Sequence, residues 1–365
     1  MDEGLVPVRT LLGDVRLEAV ERLGENDRAL VDRVRATYPD GRRVSLIAKQ
    51  YRSAGEGWVR ESCALSILSN RLRAPRVVAC AAEPPILVLE DLGDGQSVAD
   101  ALIGRDAEVA QRALDAWAAA IAALHVATRG AREAFHAVLA ERQGDLPVAD
   151  SRMPAEIDAA VRALDRECGA LGVRVPAGAL DELRGLTKRL GGSRLAALTP
   201  GDTCPDNNVL TAEGLVLVDF EGAEWRHVAW DVGYLHVPWP SCWCSWRIPE
   251  AAAEQAMASY LRAARPQLPE VDDPGFAADV EAAVVGWCLI TTTWFISNAL
   301  ADDPPLNPDR PTPTRRAMIS HRLQRAARST ELPALAELAA ELAAELRRRW
   351  GDVALAPAPA FRAAQ

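Results

Sequence analysis

What this sequence has little of is positive charge to spare: 51 acidic residues against 41 Lys and Arg leave a net charge of −10. With a pI near 5.2, the chain has no electrostatic footprint for nucleic acid or an anionic membrane, and a neutral or cationic small partner fits it better. The N-terminus, MDEGLVPVRT, lacks a basic segment followed by an apolar one, so no secretory leader is expected. No apolar run is read as approaching the roughly 18 residues of a membrane span. A soluble, cytoplasmic protein with neither a nucleic-acid nor a membrane partner is the expectation. The cysteines (Cys63, Cys80, Cys168, Cys204, Cys242, Cys244 and Cys288) are odd in number and scattered, which argues against a disulfide framework and for reduced thiols. No internal repeat is visible.

Present in quantity is hydrophobic material: 365 residues at 49% hydrophobic content can build two lobes. Segments 15–23 (VRLEAVERL), 28–38 (RALVDRVRATY) and 42–51 (RRVSLIAKQY) carry β-branched residues in partial alternation, with turn chemistry at Pro39-Asp40-Gly41, and predict an antiparallel meander. Segment 57–72 places apolar residues on one helical face, and 76–82 and 86–92 complete about five strands. Gly93-Asp94-Gly95 then separates this strand-rich part from a helical remainder. The expected division is 1–92 as a small lobe, 93–350 as a helical lobe and 351–365, Pro/Ala-rich, as a disordered tail. Predicted helices cover 108–128, 155–171, 181–190, 249–265, 276–300 and 315–350.

One strand signal interrupts the helices: LTPGDTCPDNNVLTAEGLVLVDFEG, residues 198–222. Segments 208–211 and 215–218 read as a hairpin closed by Ala212-Glu213-Gly214, with Gly214 in the left-handed position of a bulged turn. With Thr211 opposite Leu215, Asn207 falls opposite Asp219 at the open end, within one residue. One amide and one carboxylate from two short segments leave coordination positions for water and phosphate, as Mg²⁺ requires in phosphoryl-transfer sites. Asn208 replaces Asn207 as the ligand if the register slips by one. Asp202 reaches the same space and stands where an acceptor hydroxyl would lose its proton.

These residues carry a family resemblance. Gly201-Asp202 followed by Asn207 is similar to the catalytic loop of aminoglycoside phosphotransferases and choline kinase-like enzymes, relatives of protein kinases, and Asp219-Phe220-Glu221 resembles their metal motif. The resemblance implies an α+β, protein kinase-like two-lobe fold with a small antiparallel-sheet N-lobe and a large, mostly helical C-lobe. It also implies roles: Asp202 orienting the acceptor, Asn207 and Asp219 holding Mg²⁺, and Asp231 in AWDVGYL supporting the loop. Lys49 in LIAKQY would contact the nucleotide phosphates, with Glu61 on the lobe's one helix as its partner. Glu90-Asp91-Leu92 resembles the hinge whose backbone seats the base, and Leu124-His125 matches a Leu-His pair of the superfamily.

Two departures accompany the match. Pro200 stands where the family usually has His, and the nucleotide loop has no G-x-G-x-x-G, offering only Gly24 and Asn26 in LGENDR. The implied activity is transfer of the γ-phosphoryl of ATP or GTP to a hydroxyl of a small molecule such as an aminoglycoside, amino alcohol or sugar. Alternatives are phosphorylation of Ser or Thr in a natural-product peptide, and a pseudokinase that binds nucleotide or a partner without transfer. Oligomeric state is left open.

Other clusters receive plainer readings. His227, His236, Cys242 and Cys244 suggest zinc by residue type, yet Cys-x-Cys is tighter than the usual ligand gap, and a packed irregular loop over 238–246 is preferred. Seven of ten tryptophans lie between Trp225 and Trp294, as an acceptor wall or as core. Glu221, Glu224, Asp302 and Asp303 read as surface carboxylates before they read as a site for a polycation.

Overall fold

Alternation of apolar and polar residues in the first ninety positions folds as expected into five antiparallel strands. They are β1 (Arg16–Glu25), β2 (Ala29–Thr37), β3 (Arg43–Tyr51), β4 (Val77–Ala82) and β5 (Pro85–Glu90), in spatial order β1-β2-β3-β5-β4. The computed structural model describes residues 3–191, 194–240, 242–307 and 310–364. Ser241 of the tryptophan- and cysteine-rich loop and Gln365 of the tail lie outside the described residues.

Strand periodicity of two sorts the side chains of β3. Leu46 and Ala48 join Val34, Ala36, Ile86 and Val88 on one face, covered by Leu5 and Val8. That cover comes from a 3-10 turn over Glu3–Leu5 and a helix over Val6–Leu12, which the sequence reading did not anticipate. On the other face, Lys49 and Tyr51 look toward the helix Glu56–Leu68. This helix, expected over 57–72, is buried almost all round, because it lies between the sheet and the helical lobe. Its Arg60 is fully buried and donates to Ala223 O and Ala149 O, both at 2.9 Å. Arg60 thus ties the sheet side to two segments of the helical side.

The helical part contains Val98–Ile103, Ala107–Thr128, Arg132–Gln143, Met153–Leu171, Ala179–Arg189, Glu250–Ala264, Pro274–Ala301, Arg315–Ala326 and Pro333–Trp350. Asp106 caps the Ala107–Thr128 helix through the amides of Glu108 and Val109, as its side-chain chemistry favours. Four short strands accompany the helices: β6 (Ala196–Thr199) pairs with β9 (Glu224–His227), and β7 (Asn208–Thr211) pairs with β8 (Gly214–Leu217).

Three expectations are corrected. The segment 315–350 is two helices, because Pro333 cannot donate within a helix and instead starts a new one. The Pro/Ala-rich tail is packed: Ala358, Ala360 and Phe361 are buried, and Arg247 exchanges backbone hydrogen bonds with Ala356 and Ala358. The helix Pro274–Ala301 is long and apolar enough to cross a membrane by length and composition, contrary to the reading that no such run exists. Its apolar stretch is mostly buried within the protein, and it serves as the central core helix, with Val284, Val285, Trp287 and Cys288 all in the main hydrophobic cluster.

Arg60→Ala strands the buried Ala223 carbonyl, loses the tie to Ala149 and empties a buried site, and is expected to lower the unfolding free energy by about 3 kcal/mol. Urea denaturation monitored by tryptophan fluorescence measures the loss.

Candidate active site

Strand pairing assembles the site in two steps. In the β6/β9 pair, Leu198 faces Trp225 and Thr199 faces Glu224. Continuing that register brings Gly201 against Gly222, and the approach is so close that a Cβ on Gly201 would sit 1.7 Å from Gly222 O. Gly201 also has φ +78°, so no other residue fits there without strain. The loop 200–207 is thereby laid directly against the segment 219–222.

The β7/β8 hairpin then sets the metal-type ligands. Its turn has two residues, with Thr211 paired to Gly214, not the expected three, so every pairing is one residue away from the expected sum. Asn207 O accepts Val218 N–H at 3.1 Å, which places Asp219 one step beyond Asn207, inside the allowed slack. Asp219 itself adopts φ 62°, ψ 66° and is the one non-glycine residue with positive φ among the described residues. Such a conformation is uncommon outside glycine and costs energy that the surrounding contacts must offset. Asn208 takes no part: it is buried, its Oδ1 accepts Val98 N–H and its Nδ2 donates to Pro205 O.

Lys49 is the charge at the centre. Its Nζ lies 2.7 Å from Glu61 Oε2, 2.6 Å from Asp219 Oδ1 and 3.1 Å from Glu221 Oε2. Burial works against the ammonium, but Glu61, Asp219 and Glu221 outweigh it and hold its pKa well above the ordinary value. Tyr51 donates its hydroxyl to the same Glu61 oxygen, and full burial pushes the Glu61 carboxyl upward against the pull of Lys49. Glu221 also pairs with Arg28 at 2.6 Å.

Behind the loop runs a buried polar network. Asp231 has no exposed surface; its Oδ1 accepts from Arg226 Nη2 at 2.6 Å and its Oδ2 faces His125 Nε2 at 3.1 Å. His125 Nδ1 in turn meets the Tyr260 hydroxyl at 2.9 Å. Arg226 also donates to Gly201 O at 3.2 Å. Pro200 offers no side-chain hydrogen bond, so Arg226 supplies backbone support to the loop. Glu224 is buried with Arg152, Ser151 and the Arg152 amide around its carboxylate, which is a structural anchor and not a surface charge.

Two cavities meet at Asp206, Asn207 and Asp219, which line both. One, of 380 Å³, is bounded by Leu23, Val31, Ile47, Lys49, Leu89 and the segment 90–93. The Glu90 and Asp91 side chains are committed there, to Arg73 and to Arg33 with Ser45, and the Glu90 amide to Arg76 O. The other, of 350 Å³, contains Asp202, Glu156 and a wall from Trp243, Trp287 and Trp294. The remaining tryptophans of the cluster, Trp225, Trp230, Trp239 and Trp246, are buried core. Asn26 does not join either cavity. It is exposed, and its Oδ1 caps the β1–β2 turn through the amides of Arg28 and Ala29. Asp302 and Asp303 lie at the end of the long core helix, outside both cavities.

The sequence reading missed Arg60, Arg226 and Arg152; a charge beside apolar or tryptophan residues was a signal for the first two, and Arg152 offered none. It also expected scattered thiols, whereas Cys204, Cys242 and Cys244 lie together, with the Cys204 and Cys242 sulfurs close enough to bond. The histidines grouped with those cysteines go elsewhere: His227 Nδ1 accepts Ala229 N–H, and His236 lines a separate cavity with Glu250 and Glu281.

Comparison with known proteins gives the same picture. The sequence model of the phosphotransferase enzyme family matches residues 26–272, more than half of the chain. Among solved structures, the chain resembles a choline/ethanolamine kinase family protein from Mesorhizobium loti (17% identity, 92% of this chain and 95% of that one, TM-score 0.51). It also resembles an ethanolamine kinase from Plasmodium vivax (13%, 90% and 82%, TM-score 0.52). A third is an amicoumacin kinase solved with AMP-PNP, Ca²⁺ and Ami (16%, 91% and 96%, TM-score 0.53). At these identities the likeness establishes a shared kinase-like two-lobe fold. No curated protein sequence matches.

Asp231→Asn removes the nearer of the two carboxylates that face the buried Arg226 guanidinium and is expected to cost about 3 kcal/mol at pH 7, measured by urea unfolding. Acid provides a second check. Burial would raise the Asp231 and Glu224 carboxyls, yet Arg226 with His125 holds the first below the ordinary range, and Arg226 with Arg152 holds the second there. Their contribution is present above the unfolded value near ~4 and lost as pH falls through the folded ones. Stability is therefore expected to fall below about pH 4, less steeply in Asp231→Asn.

Proposed function

The chain belongs to the phosphotransferase enzyme family, and from that premise we propose that it moves the γ-phosphoryl of ATP or GTP to a hydroxyl of a small molecule in the cytoplasm. One observation carries the reading: a largely apolar cavity beside the 90–93 segment and a carboxylate- and tryptophan-lined cavity meet at Asn207 and Asp219. A base and an acceptor seated in the two would present their reacting ends to the same carboxylate and amide.

In this reading the Leu92 backbone amide seats the base, because the side chains of Glu90 and Asp91 are used to hold the segment. Lys49, kept in aim by Glu61, exchanges its contact with Asp219 for the nucleotide phosphates and neutralises their charge. The donor set fits a hard divalent cation: the Asn207 amide nitrogen is spent on Asp202 O at 3.1 Å, which leaves its oxygen available. The carboxylate oxygens of Glu61, Asp219 and Glu221 lie within 4.8 Å of one another. Asn207 and Asp219 would hold Mg²⁺, which supplies charge neutralisation at the phosphates.

Asp202 lines the acceptor cavity and takes the hydroxyl proton. The Cys204 amide donates to its Oδ1 at 3.2 Å and so helps to fix the carboxylate's direction. Positioning and charge neutralisation, not covalent chemistry, supply most of the rate in such a transfer. A cavity of 350 Å³ is the size of a small-molecule site and disfavours a peptide. The carboxylates that line this cavity, Glu156, Asp202 and Asp206 among them, favour an acceptor that carries an amino group.

Asp202→Asn is expected to reduce turnover by about 10²- to 10⁴-fold while nucleotide affinity, measured by calorimetry, stays unchanged. The assay is a screen of aminoglycosides, amino alcohols, sugars, nucleosides and Ser/Thr peptides with ATP or GTP, read by mass spectrometry for the added phosphoryl group. Nucleotide binding with no phosphorylated product across that panel would favour a pseudokinase instead.

A further inference from the structure

Three cysteines and one aspartate converge beside the acceptor cavity, from two segments that the catalytic proposal does not connect. Cys204 and Asp206 come from the loop after Asp202, and Cys242 and Cys244 from the tryptophan-rich loop. Their ligand atoms all lie within 4.8 Å of one another. Cys204, Cys242 and Cys244 are buried, and Asp206 is half-buried. A disulfide between Cys204 and Cys242 uses two sulfurs and gives neither Cys244 nor Asp206 a reason to be there. Cys244 Sγ lies 2.7 Å from Cys242 Sγ, closer than unbonded sulfur atoms rest.

We propose that Cys204, Asp206, Cys242 and Cys244 form a tetrahedral site for a zinc-class divalent cation, which clamps the 202–207 loop to the 239–246 loop. A tetrahedral Zn²⁺ ion with bonds of about 2.3 Å to sulfur and about 2.0 Å to a carboxylate oxygen spaces two sulfurs about 3.8 Å apart and a sulfur and an oxygen about 3.5 Å apart. Cys204 Sγ stands 3.8 Å from Cys244 Sγ, and Cys242 Sγ stands 3.8 Å from Asp206 Oδ1. Filling the site starts from the reduced chain, in which Cys204, Cys242 and Cys244 are all thiols and the ion takes the place of a Cys204–Cys242 bond, with Cys242 Sγ moved out to about 3.8 Å from both other sulfurs. From that form, binding takes three protons off sulfur and changes no oxidation state.

The surroundings suit such a set. The Cys244 amide donates to Cys242 Sγ at 3.3 Å, a bond that favours a thiolate. Trp243 Nε1 donates to Asp206 Oδ2 at 2.6 Å, which orients the carboxylate and leaves Oδ1 toward the sulfurs, as outer hydrogen bonds do for metal ligands. The Arg310 guanidinium over the Trp243 ring, 4.2 Å from its centre, adds positive charge beside the anionic cluster. Because the Cys204 amide holds Asp202 Oδ1, an ion on Cys204 would steady the carboxylate in the acceptor cavity without touching substrate.

The test uses the full-length chain purified without added metal, with zinc counted by plasma mass spectrometry. Free thiols are counted after denaturation in chelator without reductant. About one zinc per chain is expected, with all 7 cysteines titrating as thiols. C204S and C244S should each retain less than about a tenth of an equivalent, while C80S, outside the cluster, keeps the full amount. Cobalt exchanged into the wild-type protein should show thiolate-to-metal charge-transfer absorption, a readout that needs no variant. Less than about a tenth of an equivalent in the wild type, whether the thiol count indicates a disulfide or not, overturns the site. Retention of zinc in both serine variants does the same.

Discussion

The ammonium of Lys49 is the point on which this architecture depends. It is 6% exposed and touches carboxylates from a helix of its own lobe and from the segment after the β7/β8 hairpin, 170 residues away. A buried cation is costly unless it is paired, so the sheet, the helix Glu56–Leu68 and the 219–221 segment are bound to one relative position. Three carboxylates around one ammonium leave a surplus of negative charge. That surplus disfavours a static structural bridge and suits a site that takes up further cations.

Opposite Lys49, the loop carrying Asp202 rests on a second set of buried charges. Asp231, Arg226, Glu224 and Arg152 alternate in sign, and each makes hydrogen bonds as well as facing its counter-charge. Gly201 against Gly222 removes the side chains that would keep the two strands of loop apart. Pro200 becomes intelligible in this setting. A buried arginine reaches the Gly201 carbonyl from β9, so the loop is held from its backbone and needs no donor on the residue before Gly201.

Legibility followed the range of the physics. Asp219 could be named from its place at a hairpin mouth, whereas Lys49 and Glu61 came only with the family resemblance, since taken singly a lysine on a strand and a glutamate on a helix read as solvated charges. Asn207 and Asn208 could not be separated with certainty, since the choice rests on one residue of register and the turn proved to have two residues where three were expected. Asn26 was misjudged for a similar reason: its side chain closes its own turn, a local bond that competes with any ligand. The break at Pro333 was written in the sequence and was overridden by the helical pattern on both sides of it.

By itself, then, the sequence determined most of the strand and helix inventory, the two-lobe order and the residue types of the site, because periodicity, turn chemistry and charge act over a few residues. Only the tertiary structure decided which of the buried arginines support the loop, that Glu224 is an anchor, that the tail is packed, and that Cys204 and Asp206 join Cys242 and Cys244. Those facts depend on contacts between segments tens of residues apart. No local propensity encodes such contacts, since burial converts an ordinary side chain into a structural one only after the chain has closed around it.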